Sequence, residues 1–243
     1  RKRRDRVRGH DHLQQQRREG GSSRQLHVHR GRCRGSYFLG NADHCRDAVD
    51  HGARVINMSF GKSHSPYKDV VDEAVMYAES KGVLLVHAAG NDSKDVDVKD
   101  NFPTPRYLNG KTCSTWLEIG ASDNSIDHLS ADFSNYGDKT VDIYAPGVDI
   151  YATILDNEFG PLSGTSMASP VTAGVAAAIL SYYPNLSAVE VRDIIIKSGI
   201  SYKKHKVVMP GDEEKKIKFG KLSKSGKVVN LYEALKLAEK ISK

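Results

Sequence analysis

The stretch Gly164–Pro170, with the sequence GTSMASP, places one hydroxyl group among small residues at the entrance to an apolar run. Residues 167–183 are rich in Ala and aliphatic side chains, and Pro170 stands early, where a helix tolerates a missing N–H. We therefore expect Ser166 at a helix N-terminus. The free N–H groups and the positive end of the helix dipole stabilise negative charge there, as acyl transfer to a serine requires.

Strands and helices alternate upstream of this stretch. Residues 55–59 are apolar and β-branched enough for a buried strand, residues 70–78 carry apolar side chains at helical spacing, and residues 83–86 form the next apolar run. This pattern predicts a βαβ unit with a right-handed crossover. The unit brings the segments Ser59–Gly61 and Ala89–Asn91 to one edge of the sheet, where α/β proteins bind ligands.

The downstream half continues the α/β pattern. We predict strands over 116–121, 141–144 and 148–154. Ser187 and Glu190 form a capping box, and Asn230 with Glu233 caps a last helix. The Lys-rich residues 202–227 are predicted to form an exposed hairpin or loop.

Four sequence blocks, in order, carry a resemblance to a known family. The GTSMASP stretch resembles the nucleophile motif of the subtilisin-like serine proteases, the subtilases. Val86–Asn91 resembles the strand end that carries their oxyanion-hole asparagine, and Val55–Gly61 resembles their substrate-pairing strand. Phe133–Gly137, followed by Val141–Gly147, matches a further block. Four matches in the order of the family make a chance similarity very unlikely.

The resemblance implies a fold, which we expect to be incomplete. Subtilases have a three-layer, doubly wound, mostly parallel α/β sheet. The resemblance covers Asp47 to the C-terminus, so we divide the chain into a segment 1–46 without a recognisable fold and a partial catalytic domain 47–243. We expect the N-terminal strands of the sheet to be absent, which leaves a parallel edge unpaired.

The resemblance also implies roles for single residues. Ser166 is the expected nucleophile, and its N–H together with the Asn91 side chain forms the oxyanion hole. Ser59, Phe60 and Gly61 would pair with the backbone of a peptide or protein substrate. Ala89 and Gly90 would line the pocket for the residue before the scissile bond, and they permit a pocket open to sizeable apolar side chains. A lone serine at a helix start is more often only a cap, so these roles depend on the ordered blocks.

The remaining triad members are missing. Neither Asp-Ser/Thr-Gly nor His-Gly-Thr-His, the Asp and His motifs of the family, occurs in the sequence. His87 occupies a position that is not that of the family base, and His51, His64 and His128 are interpreted as surface or loop residues. We expect a serine endopeptidase by family that is inactive as this chain, and the alternative is a noncatalytic peptide-binding protein.

Residues 1–46 differ in composition from the rest. They hold 12 Arg and 1 Lys against 4 acidic residues, so the other 197 residues carry a net charge of −3 against +6 for the whole chain. Three interpretations stay open: translation in a wrong reading frame, which we favour, a disordered tail, and a basic arm for nucleic acid, which we rank last. His10 and His12, or His27 and His29, lack a second ligand pair, so no metal site is expected.

Cofactor and compartment follow only from the resemblance. Several subtilases bind calcium, so calcium is possible, although the acidic loop 92–101 lacks the spacing of a known calcium loop. From three cysteines we infer no disulfide framework, and we expect neither a membrane span nor a secretory signal within the sequence given. Because the first residue is not Met, we expect a fragment or processed product, and by family a secreted or cell-envelope protein.

Overall fold

The computed structural model describes residues 37–243, and their side chains from Ala42 onward. In chain order the elements are α1 (Tyr37–Asp50), β1 (Val55–Met58), α2 (Lys68–Ser80), β2 (Leu84–Ala88), β3 (Trp116–Ser122), β4 (Ile143–Pro146), β5 (Ile150–Thr153), β6 (Phe159–Leu162), α3 (Thr165–Tyr182), α4 (Ala188–Ser198), β7 (Ile200–Ser201), β8 (Lys206–Met209), β9 (Asp212–Lys218), β10 (Lys227–Val228) and α5 (Leu231–Ile241).

Six strands form one mostly parallel sheet in the order β1-β2-β3-β4-β10-β7. Only the short pair β10 and β7 is antiparallel. Met58 on β1 is the register partner of His87 on β2, and His87 is the register partner of Glu118 on β3. These three residues therefore lie side by side across neighbouring strands. The sheet flanked by helices confirms the expected α/β class.

The two faces of the sheet carry different cores, because successive side chains of a strand point to opposite faces. Leu84, Val86 and Ile119 belong to the cluster that packs against α3, α4 and α5. Leu85 and Trp116 belong to the cluster on the other face, with residues of α1 and α2. Both layers are present, so the six-stranded sheet is covered on its two faces.

Helix α1 was not predicted from the sequence, since no element was drawn within 1–46. Ala42 and Val49 are buried, and Cys45 packs against the same cluster as Val49. These spacings of three and four residues place the side chains on one helical face toward α2. The pattern crosses the compositional boundary at Asp47, so the sequence on either side of that boundary carries only part of the apolar face.

The strand predicted over 148–154 is real but lies outside the main sheet. β5 pairs with β6 in a two-stranded antiparallel hairpin, with Tyr151 and Phe159 exposed and stacked on each other. The hairpin predicted within 202–227 is confirmed as β8 and β9. It is only partly exposed, because Val207 of β8 is buried in one core cluster with Phe219 and Leu222.

Strand β1 is an edge of the six-stranded sheet in the described part of the chain. The absence of further N-terminal strands remains a prediction, and the interpretations given for residues 1–36 lie outside the described residues. No helix within residues 37–243 is both long enough and apolar enough to cross a bilayer.

The Ser187 capping box offers a local test of the fold. Ser187 Oγ accepts a hydrogen bond from Glu190 N, and Glu190 Oε2 accepts one from Ser187 N. We expect Ser187→Ala to lower the free energy of unfolding by about 1 kcal/mol, measured by urea titration. Ser198→Ala, at the other end of α4, is the matched control and should change it by under about 0.5 kcal/mol. Equal losses of unfolding free energy in the two variants would contradict a stabilising role of the capping box.

Candidate active site

Ser166 lies in the first turn of α3, directly against the carboxyl end of β1. Its hydroxyl donates to the backbone carbonyl of Ser59 at 3.4 Å, and the Ser59 hydroxyl donates to the Ser166 carbonyl at 2.8 Å. Asn57 donates to Ser59 Oγ at 2.9 Å and accepts from Ser169 Oγ at 2.6 Å. A line of polar side chains therefore holds the two predicted segments together.

Asn91 is attached to the same helix end through Thr165. Asn91 Oδ1 accepts hydrogen bonds from Thr165 N at 2.9 Å and from Thr165 Oγ1 at 2.8 Å. Thr165 Oγ1 also accepts from Gly90 N at 3.1 Å. Because both bonds engage the amide oxygen, the amide nitrogen of Asn91 stays available as a donor.

Two donors converge on an open point beside Ser166. Gly164 has a φ of 155°, which is unfavourable for other residues. The position that a Cβ would take there is 3.2 Å from Asn91 Nδ2 and 3.6 Å from Ser166 N. Ser166 N, like the other first N–H groups of a helix, has no intrahelical acceptor. Glycine thus keeps clear a space that an oxyanion could occupy between these donors.

A cleft of about 450 Å³ runs past these groups. Its walls include Phe60, Gly61, Gly90, Asn91 and Ser166, so it joins five of the seven residues predicted from the sequence. The other two lie just outside it. Ser59 bonds to Ser166, whereas Ala89 is fully buried and its side chain belongs to the core with Val96 and Leu129.

Two asparagines that the sequence analysis did not single out hold the end of β2 beside the cleft. Asn101 lines the cleft, and Asn135 lines a neighbouring cavity of about 250 Å³. Asn135 Nδ2 donates to Ala89 O at 2.7 Å, and its Oδ1 accepts from Asp92 N at 3.0 Å and from Lys94 N at 2.9 Å. Asn101 Nδ2 donates to Ala88 O and Ala89 O. Asn135 stands within a block quoted for the resemblance, whereas no sequence signal marks Asn101, which lies in an irregular loop.

His87 is fully buried, and its ring is hydrogen-bonded to the segment after β1 and to β3, not to Ser166. Its Nε2 donates to the Phe60 carbonyl at 2.8 Å, and its Nδ1 contacts both oxygens of Glu118 at 3.0 Å. Trp116 Nε1 donates to the same carboxylate at 2.8 Å. The other histidines considered from the sequence, His51, His64 and His128, are exposed.

The described cysteines are poor nucleophiles. Burial raises the pKa of the Cys45 thiol to about 11, and burial likewise raises the pKa of the Cys113 thiol. Both are free of disulfides and belong to the core around α1 and α2. A thiol with a raised pKa is protonated at neutral pH, so neither side chain is a candidate nucleophile.

Several carboxylates of the acidic loop have partners within the protein. Asp100 pairs with Arg106 at 2.9 Å, Asp92 contacts Lys94 at 3.7 Å, and Asp95 accepts a hydrogen bond from Asp97 N. Within residues 37–243 no three His, Cys, Asp or Glu side chains converge as a metal site. Asp97 Oδ2 accepts a hydrogen bond from Lys139 N, whereas the buried Asp97 Oδ1 has no hydrogen-bond partner among the described residues. No calcium chemistry enters the account of the cleft.

The buried contact between His87 and Glu118 gives a second test of stability. Glu118→Leu removes the acceptor of both His87 Nδ1 and Trp116 Nε1, so we expect the free energy of unfolding to fall by about 3 kcal/mol. Glu118→Gln keeps one carbonyl oxygen and should cost less. Urea titration of both variants measures the difference, and a loss below about 0.5 kcal/mol for Glu118→Leu would contradict the network.

Comparison with known proteins agrees with this geometry. The model of the subtilase family matches residues 23–226, so the resemblance extends upstream of Asp47. The chain is 42% identical over 148 residues to a thermophilic serine proteinase of Bacillus sp. (strain AK1), covering 61% of this chain and 33% of that protein. It is 38% identical over 148 residues to subtilisin DY of Bacillus licheniformis, covering 60% and 49%. The chain thus spans a third to a half of the length of these relatives.

Solved structures show the same fold. The patellamide maturation protease PatA is 28% identical with a TM-score of 0.64, covering 83% of this chain and 69% of that one. The prenylagaramide maturation protease PagA is 25% identical with a TM-score of 0.65, covering 86% and 70%. Because the family model matches most of this chain, residues 23–226, the chain belongs to the subtilase family of serine proteases.

Proposed function

We propose that this chain carries the peptide cleft, nucleophile and oxyanion hole of a subtilisin-like serine endopeptidase, and that the 243-residue chain by itself does not cleave peptides. One observation carries the proposal: Asn91 Nδ2 and Ser166 N lie 3.2 Å and 3.6 Å from the position that a Cβ on Gly164 would take, so both donors border the space that this glycine leaves free. Such a pair of donors suits the oxyanion of a tetrahedral intermediate.

In this proposal one segment binds the substrate backbone, and Ser166 and Asn91 act on the scissile carbonyl. A substrate strand pairs with Ser59–Gly61, which continues past the end of β1 at the sheet edge. Its scissile carbonyl lies over Ser166 Oγ with the oxygen toward Asn91. The asparagine of a subtilisin is the standard example of this donor, worth about 10²–10³ in rate there, and we carry that magnitude over from the relative.

Among the described side chains, from Ala42 onward, no histidine is hydrogen-bonded to the Ser166 hydroxyl. Serine attack requires a group that takes its proton, usually a histidine oriented by a carboxylate. Here the Ser166 hydroxyl donates to a backbone carbonyl, and both nitrogens of His87 are engaged by Phe60 and Glu118. With the Asp and His motifs absent from the sequence, these contacts support inactivity of this chain.

A noncatalytic peptide-binding protein is the second candidate. The open cleft beside a hydroxyl that is already hydrogen-bonded to Ser59 favours it. Sequencing the encoding DNA upstream of residue 23 separates the protease from the noncatalytic protein. The family Asp and His motifs in another frame or just upstream would indicate a protease. A continuous frame without these motifs would indicate the noncatalytic protein. The family model matches from residue 23, and helix α1 begins at Tyr37. Both findings argue against a wrong reading frame downstream of residue 23.

We further propose peptide or protein substrates and export from the cell, which the subtilase relatives support. Nucleic-acid binding by the basic segment ranks last, and it predicts an affinity that falls steeply with salt.

Labelling with a fluorophosphonate probe tests the proposed inactivity. We expect the 243-residue chain to label no more than its Ser166→Ala variant, and to hydrolyse peptides about 10⁶-fold more slowly than a complete subtilisin run in parallel. Labelling that disappears in Ser166→Ala would show that a base reaches Ser166, and it would contradict the proposal.

A further inference from the structure

The segment Ser59–Gly61 continues the line of β1 but has left the ladder that joins β1 to β2. This ladder begins with a hydrogen bond from Leu84 N to Arg54 O at 2.9 Å. Along a parallel pair such bonds recur at every second residue of each strand. Continued to the ends of the two segments, the same series would give Phe60 O the N–H of Gly90 as its donor.

A histidine side chain supplies that donor instead. Gly90 N donates to Thr165 Oγ1 at 3.1 Å, and Phe60 O accepts from His87 Nε2 at 2.8 Å. The His87 ring is fully buried on β2. Because a carbonyl oxygen without a donor beside a buried ring would be unfavourable, this bond fixes the direction in which the Phe60 carbonyl points.

That direction decides which backbone groups a peptide can reach. Successive residues of an extended chain direct their N–H and C=O groups to opposite edges. Phe60 and Lys62 direct theirs into the protein, since Lys62 exchanges two backbone hydrogen bonds with Phe102 at 3.0 Å and 2.8 Å. Ser59 and Gly61 therefore direct theirs to the opposite edge, and Gly61 lines the cleft of about 450 Å³.

Glu118 keeps a hydrogen on the ring nitrogen that makes this bond. Phe60 O can only accept, so His87 Nε2 must carry a hydrogen. Nδ1 lies 3.0 Å from both oxygens of Glu118, and a lone pair on Nδ1 would repel a carboxylate there. A second hydrogen, shared between Nδ1 and Glu118, removes this conflict. Whichever of the two groups holds that hydrogen, Nε2 keeps its own.

We propose that His87 is a positioning residue for the substrate strand. Its Nε2–H holds the Phe60 carbonyl so that Ser59 and Gly61 present their backbone groups to a peptide, and Glu118 maintains that hydrogen. This inference rests on the proposed peptide cleft, and it concerns a side chain that touches neither the peptide nor Ser166.

Two substitutions of His87 separate its two contacts. The amide nitrogen of glutamine stands as many bonds from Cβ as Nε2 does, so His87→Gln can still donate to Phe60 O. The amide nitrogen of asparagine matches Nδ1, so His87→Asn can reach Glu118 but not Phe60. Titration with N-acetylated tetra-alanine, followed by NMR through the amide signals of Ser59 and Gly61, gives a dissociation constant for each variant.

We expect His87→Asn to weaken binding of tetra-alanine at least about fivefold, and His87→Gln to bind within about twofold of the unmodified chain. Ser187→Ala is the control for a general loss of stability, because the hydrogen bonds of its capping box are to Glu190. This control should also bind within about twofold of the unmodified chain. A native amide spectrum confirms that each variant folds.

A measurement on the unmodified chain needs no variant. Proton–nitrogen NMR of the imidazole ring, assigned through the neighbouring Trp116 ring, reports which nitrogens carry a hydrogen. We expect a hydrogen on His87 Nε2 with and without tetra-alanine. An Nε2 without a hydrogen would overturn the inference, even where the His87 variants do not fold.

The outcomes separate this inference from the proposed function. If folded His87→Asn binds tetra-alanine as tightly as the unmodified chain, or if both substitutions weaken binding equally, the positioning role fails while the cleft stands. If tetra-alanine shifts neither the Ser59 nor the Gly61 signal of the unmodified chain, the peptide cleft itself fails, and the inference that rests on it fails as well.

Discussion

The two hydrogen bonds from Thr165 to Asn91 Oδ1 are the interaction on which the site depends. They join the first turn of α3 to the end of β2, and they leave the amide nitrogen of Asn91 on the same side as the free N–H of Ser166. Gly164 is required next to them, because a Cβ there would fill the space between the donors. The groups that we propose as nucleophile and oxyanion donors are thus placed by contacts that need no ligand.

The cleft exists because β1 and β2 separate beyond Met58. The ladder between them ends at Met58 and His87, and the next segments, Ser59–Gly61 and Ala89–Asn91, follow different partners. His87 replaces the lost ladder bond by donating to Phe60 O, and Glu118 holds the ring from the neighbouring strand. A buried polar network of this kind is stable only when each member is satisfied, which makes the strand geometry rigid.

Much of this arrangement follows from local sequence patterns. The Ser187 cap, the helix after Ser166 and the strand before Asn91 were predicted because each signal lies within a few residues of its element. The position of Asn101 was not predictable, since its hydrogen bonds to Ala88 O and Ala89 O arise from the path of an irregular loop. Helix α1 was missed because its apolar face spans a boundary drawn from composition.

A crystal structure of the chain with an N-acetylated tetrapeptide ending in alanine tests the central claim directly. The account predicts a peptide paired with Ser59–Gly61, its carboxylate within about 3.2 Å of both Ser166 N and Asn91 Nδ2. A peptide bound elsewhere, or a carboxylate that contacts neither donor, would contradict the assignment of this edge of the sheet as the substrate site.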